Sequence, residues 1–176
     1  MTKSRMLILL AATAAQLLSA CGWTPLYADI KTEAASEELR AIKVDPIPER
    51  IGQRLEIALR DSLNPAGEPT PTRYRLNTVL AVVLSNLGIQ SQGLATLGQL
   101  DATATFRLID LQTGGILLTN TVHVANSFDL NPNQYSTIVG EDDARVRSVA
   151  ELDQEIVTRL TLFMQRRMAE KSTKPV

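Results

Sequence analysis

The chain has 176 residues, of which 44% are hydrophobic and 21% charged, with a formal charge of −1, a single cysteine and a single histidine. That length suits one domain with its own core. One cysteine excludes an internal disulfide, one histidine excludes a paired-imidazole metal site, and a weakly acidic chain poor in aromatics does not fit a general nucleic-acid binder, which needs basic surface.

Lys3 and Arg5 form a short positive region, followed by an apolar run from Met6 to Leu18 broken only by Thr13 and Gln16. That run of about 13 residues spans about 20 Å as a helix, too short for a membrane core of about 30 Å. It has the profile of a cleaved secretory signal over residues 1–20. No second run of membrane-spanning length follows it. Leu18-Ser19-Ala20-Cys21 resembles the lipobox of bacterial lipoproteins. In that class, cleavage after Ala20 would leave Cys21 as an N-palmitoyl, S-diacylglyceryl cysteine. The plainer reading, a free thiol beside a cleavage site, leaves an unpaired reactive group in an exported protein. Two or more acyl chains anchor stably where one does not. Gly22, in place of the aspartate that retains lipoproteins in the inner membrane of enteric bacteria, points to the outer membrane, with the body facing the periplasm. Removing residues 1–20 takes away Lys3 and Arg5 and lowers the formal charge to −3.

Residues 21–38 are expected to be a lipidated tether, polar from Lys31 through Glu33 and Ser36 to Glu38. Leu39 to Ile47 is the first strand expected, closed by Pro46 and Pro48. A helix follows over Glu49–Leu63, with Ile51, Leu55, Ala58, Leu59 and Leu63 at spacings of three and four. Residues 64–72, with three prolines and a glycine, form a loop. Arg73–Gln90 alternates as a strand, with Tyr74, Leu76, Leu80, Val82 and Leu84 on one side and Arg75, Asn77 and Ser85 on the other. Leu97–Leu111 alternates more cleanly, with Ala102, Ala104, Phe106 and Leu108 inward and Asp101, Thr103, Thr105 and Arg107 outward. Thr113-Gly114-Gly115 marks a hairpin turn into a strand from Ile116 to about Phe128. In that strand Ile116, Leu118, Val122 and Val124 are expected inward, and Thr119, Thr121 and His123 outward.

Residues 129–141 are expected as a polar loop. A long helix over Asp143–Glu170 follows, with Val149, Leu152, Ile156, Leu160 and Phe163 as its stripe and Arg166, Arg167 and Lys171 near its negative end. Residues 172–176 are a fraying tail, so that residues 39–171 make one domain. The order β-α-β-β-β-α predicts an α+β two-layer sandwich. Two amphipathic helices cover the apolar face of a four-stranded, largely antiparallel sheet and leave a polar face free.

No catalytic set emerges. His123 falls on the outward side of a strand, where exposure to solvent is the common outcome. No serine sits in a nucleophile-elbow context, and Gly114-Gly115 precedes a strand rather than a phosphate-binding helix. Neither a cofactor nor a metal is implied, and the chain does not read as an enzyme. Glu141-Asp142-Asp143 is an N-terminal helix cap more readily than a cation site. The pairs Arg73/Arg75 and Arg166/Arg167 could meet phosphates, although solvated charge is the commoner state. Arg107, among threonines on the free sheet face, could meet an anionic lipid headgroup.

Cys21-Gly22-Trp23, the β-α-β-β-β-α order with its Thr/Ala-rich hairpin, Asn131-Pro132 and the long terminal helix together resemble the LptE family of LPS-assembly lipoproteins, over residues 21–170. The resemblance implies an outer-membrane lipoprotein with no reaction of its own. Such a protein plugs the LPS-assembly β-barrel LptD, helps it fold, and supports delivery of lipopolysaccharide to the outer leaflet. Basic loop residues implicated in meeting lipopolysaccharide in the family have no counterpart here. The hairpin loop Ile89–Thr96 and the segment Asn131–Glu141 contain no arginine or lysine, which leaves Arg73, Arg75 and Arg107 as contact candidates. The competing readings are an auxiliary lipoprotein of an ABC-type lipid transporter and a periplasmic hydrolase.

Overall fold

The computed structural model describes the backbone of residues 30–89 and 95–173 and the side chains of residues 35–87 and 96–170. The expected signal segment, Cys21, the tip of the hairpin loop and residues 174–176 lie outside the described residues. The chain runs as α1 (Ile30–Arg40), β1 (Ile42–Val44), α2 (Arg50–Leu63), β2 (Tyr74–Ile89), β3 (Ala95–Asp110), β4 (Ile116–Asp129) and α3 (Gln134–Thr173).

The sheet follows chain order, β1-β2-β3-β4. The β2–β3 and β3–β4 pairs are antiparallel hairpins, whereas β1 pairs parallel to β2 through Ile42–Tyr74 and Val44–Leu76. A parallel pair needs a crossover, and α2 supplies it. The architecture is α+β, with helices packed on one face of a mixed, mostly antiparallel sheet. Alternation in β3 decides which face is covered. Leu100, Ala102, Ala104, Phe106 and Leu108 are fully buried. They meet the stripe Leu55-Leu59 of α2 and Leu152, Ile156, Leu160 and Met164 of α3, all likewise buried. Fully burying a side chain of this size contributes about 1.5–3 kcal/mol, so this interleaved layer dominates the stability of the fold.

Four expectations are corrected. Among the described residues there are three helices, because Ile30–Arg40, taken as tether and strand, is helical and buries Ala35 in the core. The first strand shrinks to Ile42–Val44: after the Asp45 N–H, which donates to Leu76, the next backbone donor facing β2 is the Ile47 N–H, and it donates to the Glu56 carboxylate at 3.3 Å instead. The terminal helix begins at Gln134 rather than Asp143, capped by the Asn133 side chain, which accepts the Tyr135 N–H at 3.0 Å. Glu141, Asp142 and Asp143 therefore lie inside the helix, paired with Arg145, Arg54 and Arg147, and are neither a cap nor a loop. Finally, a register shift at Leu108/Ile109 sets Ile116 opposite Ile109, on the outer side and 58% exposed. A bulge of one residue flips every side chain beyond it.

Candidate interaction surface

The uncovered face of the sheet is built from the odd-numbered positions of β2, β3 and β4. Cross-strand register lays them out in rows: Asn77-Arg107-Thr119, Val79-Thr105-Thr121, Ala81-Thr103-His123, Val83-Asp101-Ala125 and Ser85-Gln99-Ser127. Small and hydroxylated side chains keep this face low, and the Thr105 and Thr121 hydroxyls sit 3.1 Å apart. His123 lies 3.3 Å from Asp101, which also accepts from the Gln99 amide. Asp101 thus has two hydrogen-bonding neighbours, and donors and acceptors rather than clustered like charges define the middle of the face.

The β3 and β4 thirds of the face are polar, as expected from their alternation. The β2 third is not. Val79 is 63% exposed and Val83 59%, with Ala81 exposed between them and Leu87 beyond. Reading β2 by Arg75, Asn77 and Ser85 alone hides this stripe; naming every odd position in the strand reveals it.

The three lipopolysaccharide-contact candidates are separated by their pairing. Arg73 leaves the sheet face and donates to the Glu38 carboxylate of α1 at 2.7 Å. Arg75 lies 3.7 Å from Asp45. Arg107 is exposed on the face and has no ion-pair partner among the described residues. Arg166 and Arg167 also divide: Arg166 is exposed on α3, while Arg167 reaches Asp110 at 3.6 Å and stacks over the Tyr74 ring.

Glu38, Arg73, Tyr74, Asp110 and Arg167 tie α1, β2, β3 and α3 together at one end of the sheet. Burial pushes the Tyr74 hydroxyl pKa up, and the hydrogen bond and charge of Glu38 add to the shift. Asp110 goes the other way, chiefly because its carboxylate accepts the Gln112 N–H at 2.8 Å, with Thr113 and Arg167 adding to the effect. These shifts belong to a turn and a helix clasp, and every member of the cluster points at another member. At the opposite end, Leu97, Phe128, Tyr135, Val139 and Arg147 line an open cleft of about 590 Å³. Arg147 there is committed to Asp143, Asn126 and the Ser127 carbonyl.

Among the described residues no group of His, Cys, Asp or Glu is placed to hold a metal ion, and no helix is long and apolar enough to cross a membrane. Chemically, the surface offers hydrogen bonds, small side chains and an apolar border, which suits docking.

Comparison with known proteins supports a lipoprotein fold. A lipoprotein from Caulobacter crescentus CB15 superposes with a TM-score of 0.62 at 21% identity, covering 75% of this chain and 96% of that one. A minor lipoprotein from Acinetobacter baumannii gives 0.51 at 20% identity, covering 69% and 90%. Lipoprotein B from Nitrosomonas europaea gives 0.50 at 14% identity, covering 75% and 83%. No curated protein is significantly similar in sequence. The sequence model of LptE, lipopolysaccharide-assembly, matches residues 39–160, which run from the end of α1 through most of α3. The chain therefore belongs to the LptE lipopolysaccharide-assembly family.

Proposed function

We propose that the protein is an outer-membrane lipoprotein, anchored through acylated Cys21, whose folded body seats inside the LPS-assembly β-barrel LptD and supports delivery of lipopolysaccharide to the outer leaflet. The observation that carries this reading is the uncovered sheet face. It is low and rich in Thr, Ser and Gln, and its one central carboxylate, Asp101, has His123 and Gln99 as hydrogen-bonding neighbours. Such a face can exchange its water for the hydrogen bonds of a wet barrel lumen, and Arg107, which has no ion-pair partner among the described residues, would need an anion there. On this reading the role is to fit and to support.

Arg107 is the residue on this face best placed to meet a lipopolysaccharide phosphate, because Arg73 and Arg75 are already engaged by Glu38 and Asp45. A guanidinium with no competing carboxylate keeps its full fork of donors for an anion.

Depleting the protein tests the role. The expected outcome is a fall in correctly assembled barrel and in surface lipopolysaccharide. Normal amounts of both would overturn it. Capture of the acylated protein from detergent-solubilised envelope should bring down the barrel; recovery of an inner-membrane transporter complex instead would favour the ABC-type auxiliary role.

A further inference from the structure

Helix α1 joins the expected anchor to the sheet, and its fastening to the body is weak. Its 11 residues fall short of the roughly 12–15 that let a helix persist alone in water, and it carries almost no apolar stripe. Of its described side chains only Ala35 is buried, which contributes a single methyl group; Leu39 is partly buried against the same core. Its polar fastening to β2 is Glu38. That carboxylate accepts from Arg73 at 2.7 Å with its side chain only 12% exposed, and its Oε2 atom is buried without a hydrogen-bond partner. Desolvation offsets much of the attraction in such a half-satisfied pair, and the orphaned oxygen counts against the docked state.

The chain is secured to the sheet immediately after α1. The Ala41 carbonyl accepts the Arg73 and Tyr74 N–H groups, and β1 begins at Ile42. These backbone bonds do not need α1 in place. With α1 docked, the chain from Cys21 to Ile30 can span at most about 30 Å. With α1 undocked and unwound, the chain from Cys21 to Ala41 can span about 65 Å. The sheet, built on strands of 16 residues, is about 50 Å long. The short leash therefore keeps the α1 end of the body beside the anchor. The long one lets the body move by more than a sheet length.

We propose that α1 is a releasable strap. Docked, it holds the body at the leaflet that carries the acyl chains; released, it unwinds and lets the body enter the barrel while the anchor stays outside the barrel wall. The purpose of the strap rests on the acylated-cysteine and barrel readings, whereas its release is a property of this chain alone. A partner shifts such an equilibrium only through its differential affinity for the two states. A barrel that binds the body at a depth the short leash cannot follow has that preference built in. Release leaves the rest of the fold in place, since the β1–β2 pairing, the α2 stripe and the Leu100–Leu108 layer all lie beyond Ala41 in the chain.

Hydrogen exchange of the acylated full-length chain in detergent, read on peptides from α1 and β3, tests the strap. A segment that opens by itself exchanges through local opening, whereas the core exchanges only through global unfolding. Expected is exchange over residues 30–40 at least about a hundredfold faster than over residues 100–108, yet slower than in an unstructured peptide. Arg73→Ala, which strands the Glu38 carboxylate, should speed α1 about fivefold further. Gly98→Ala, at the far end of the sheet, should speed β3 and leave α1 unchanged. Exchange of α1 at the rate of β3, acceleration of both by Gly98→Ala, or α1 without any protection would each overturn the proposal. Spin labels at Glu37→Cys and Arg166→Cys, exposed positions on the packed helices α1 and α3, read the release on seating. Expected is one narrow distance in the protein alone and a longer, broad distribution in the complex captured with the barrel. An unchanged narrow distance there would overturn the proposal as well. Failure to capture any barrel would sink the barrel reading instead, and the exchange rates still decide the strap.

Discussion

Phe128 lies directly across Gly98 from the neighbouring strand, so close that a Cβ at residue 98 would fall 2.4 Å from the Phe128 Cζ atom. The glycine leaves a hollow in the inner face of β3 and the ring fills it, sealing the sheet where Leu100, the next inward residue, begins the core. Gly98→Ala must therefore displace the ring, and overpacking of this kind costs about 1–3 kcal/mol. A lowered urea midpoint is expected, with part of the loss recovered in Gly98→Ala combined with Phe128→Leu. Full stability in the single variant would contradict the contact.

Glu49, the residue before α2, holds φ 68° and ψ 160° without a side-chain capping bond. That region is almost exclusive to glycine and costs a side chain about 1–3 kcal/mol. Glycine is also an acceptable N-cap residue. Glu49→Gly should raise stability by about 1 kcal/mol after the entropy that glycine loses on folding. Thermal unfolding checks this, and an unchanged or lower midpoint would refute it.

Two aspartates, Asp110 buried and Asp153 half-buried, respond to pH in opposite senses. The Asp110 pKa is lowered in the fold, first by the Gln112 N–H and then by Thr113 and Arg167. Its contribution is present above the ordinary aspartate range and lost as the pH falls through the lowered value. Asp110→Asn should therefore be clearly destabilised near neutrality and converge on wild type in acid. The Asp153 pKa is raised, chiefly by burial, although Ser62 donates to it at 2.8 Å; its second oxygen is buried without a partner. Its neutral form suits the fold, so this contribution is full in acid and is lost as the pH rises through the raised value. Asp153→Asn should be the more stable protein near neutrality, with the advantage vanishing in acid. Urea midpoints across the range from about pH 3 to 7 distinguish the two behaviours.

Arg107 and Arg73 should separate binding from stability. Removing an exposed side chain with no partner leaves stability within about 0.5 kcal/mol, so Arg107→Ala should fold normally. If Arg107 meets a phosphate, the loss of a charge-assisted bond weakens lipopolysaccharide binding about tenfold. Arg73→Ala should do the reverse, sparing binding and costing about 1 kcal/mol, because it deprives the Glu38 carboxylate, only 12% exposed, of its partner. Binding unaffected by Arg107→Ala would remove this residue from the contact.

Much of this was legible in the residues, for reasons that also explain the gaps. The α2 stripe at Ile51, Leu55, Leu59 and Leu63 and the alternation of Ala102 to Leu108 are local periodicities, and both lie where they were expected. Gly114, with φ 69°, takes the left-handed turn conformation expected between β3 and β4. Helix α1 was hidden because Lys31, Glu33, Ser36, Glu37 and Glu38 give it almost no stripe, and such a short helix is held by docking rather than propensity. The early start of α3 was hidden by Gly140 and by Asn131-Pro132, which read as loop, although Asn133 was a cap signal in plain view. The bulge that turned Ile116 outward depends on pairing between strands, which no single segment encodes. The polar face was anticipated from β3 and β4, whereas the apolar border on β2 required all four strands to be placed.

The most direct test of the docking role is a photo-crosslinking residue at Thr103, in the centre of the uncovered face between Ala81 and His123. In living cells the account predicts a crosslinked product containing the LPS-assembly barrel, absent when the same residue replaces Leu152 in the core. A Thr103 product lacking the barrel, or no product while the protein is present at normal abundance, would contradict it.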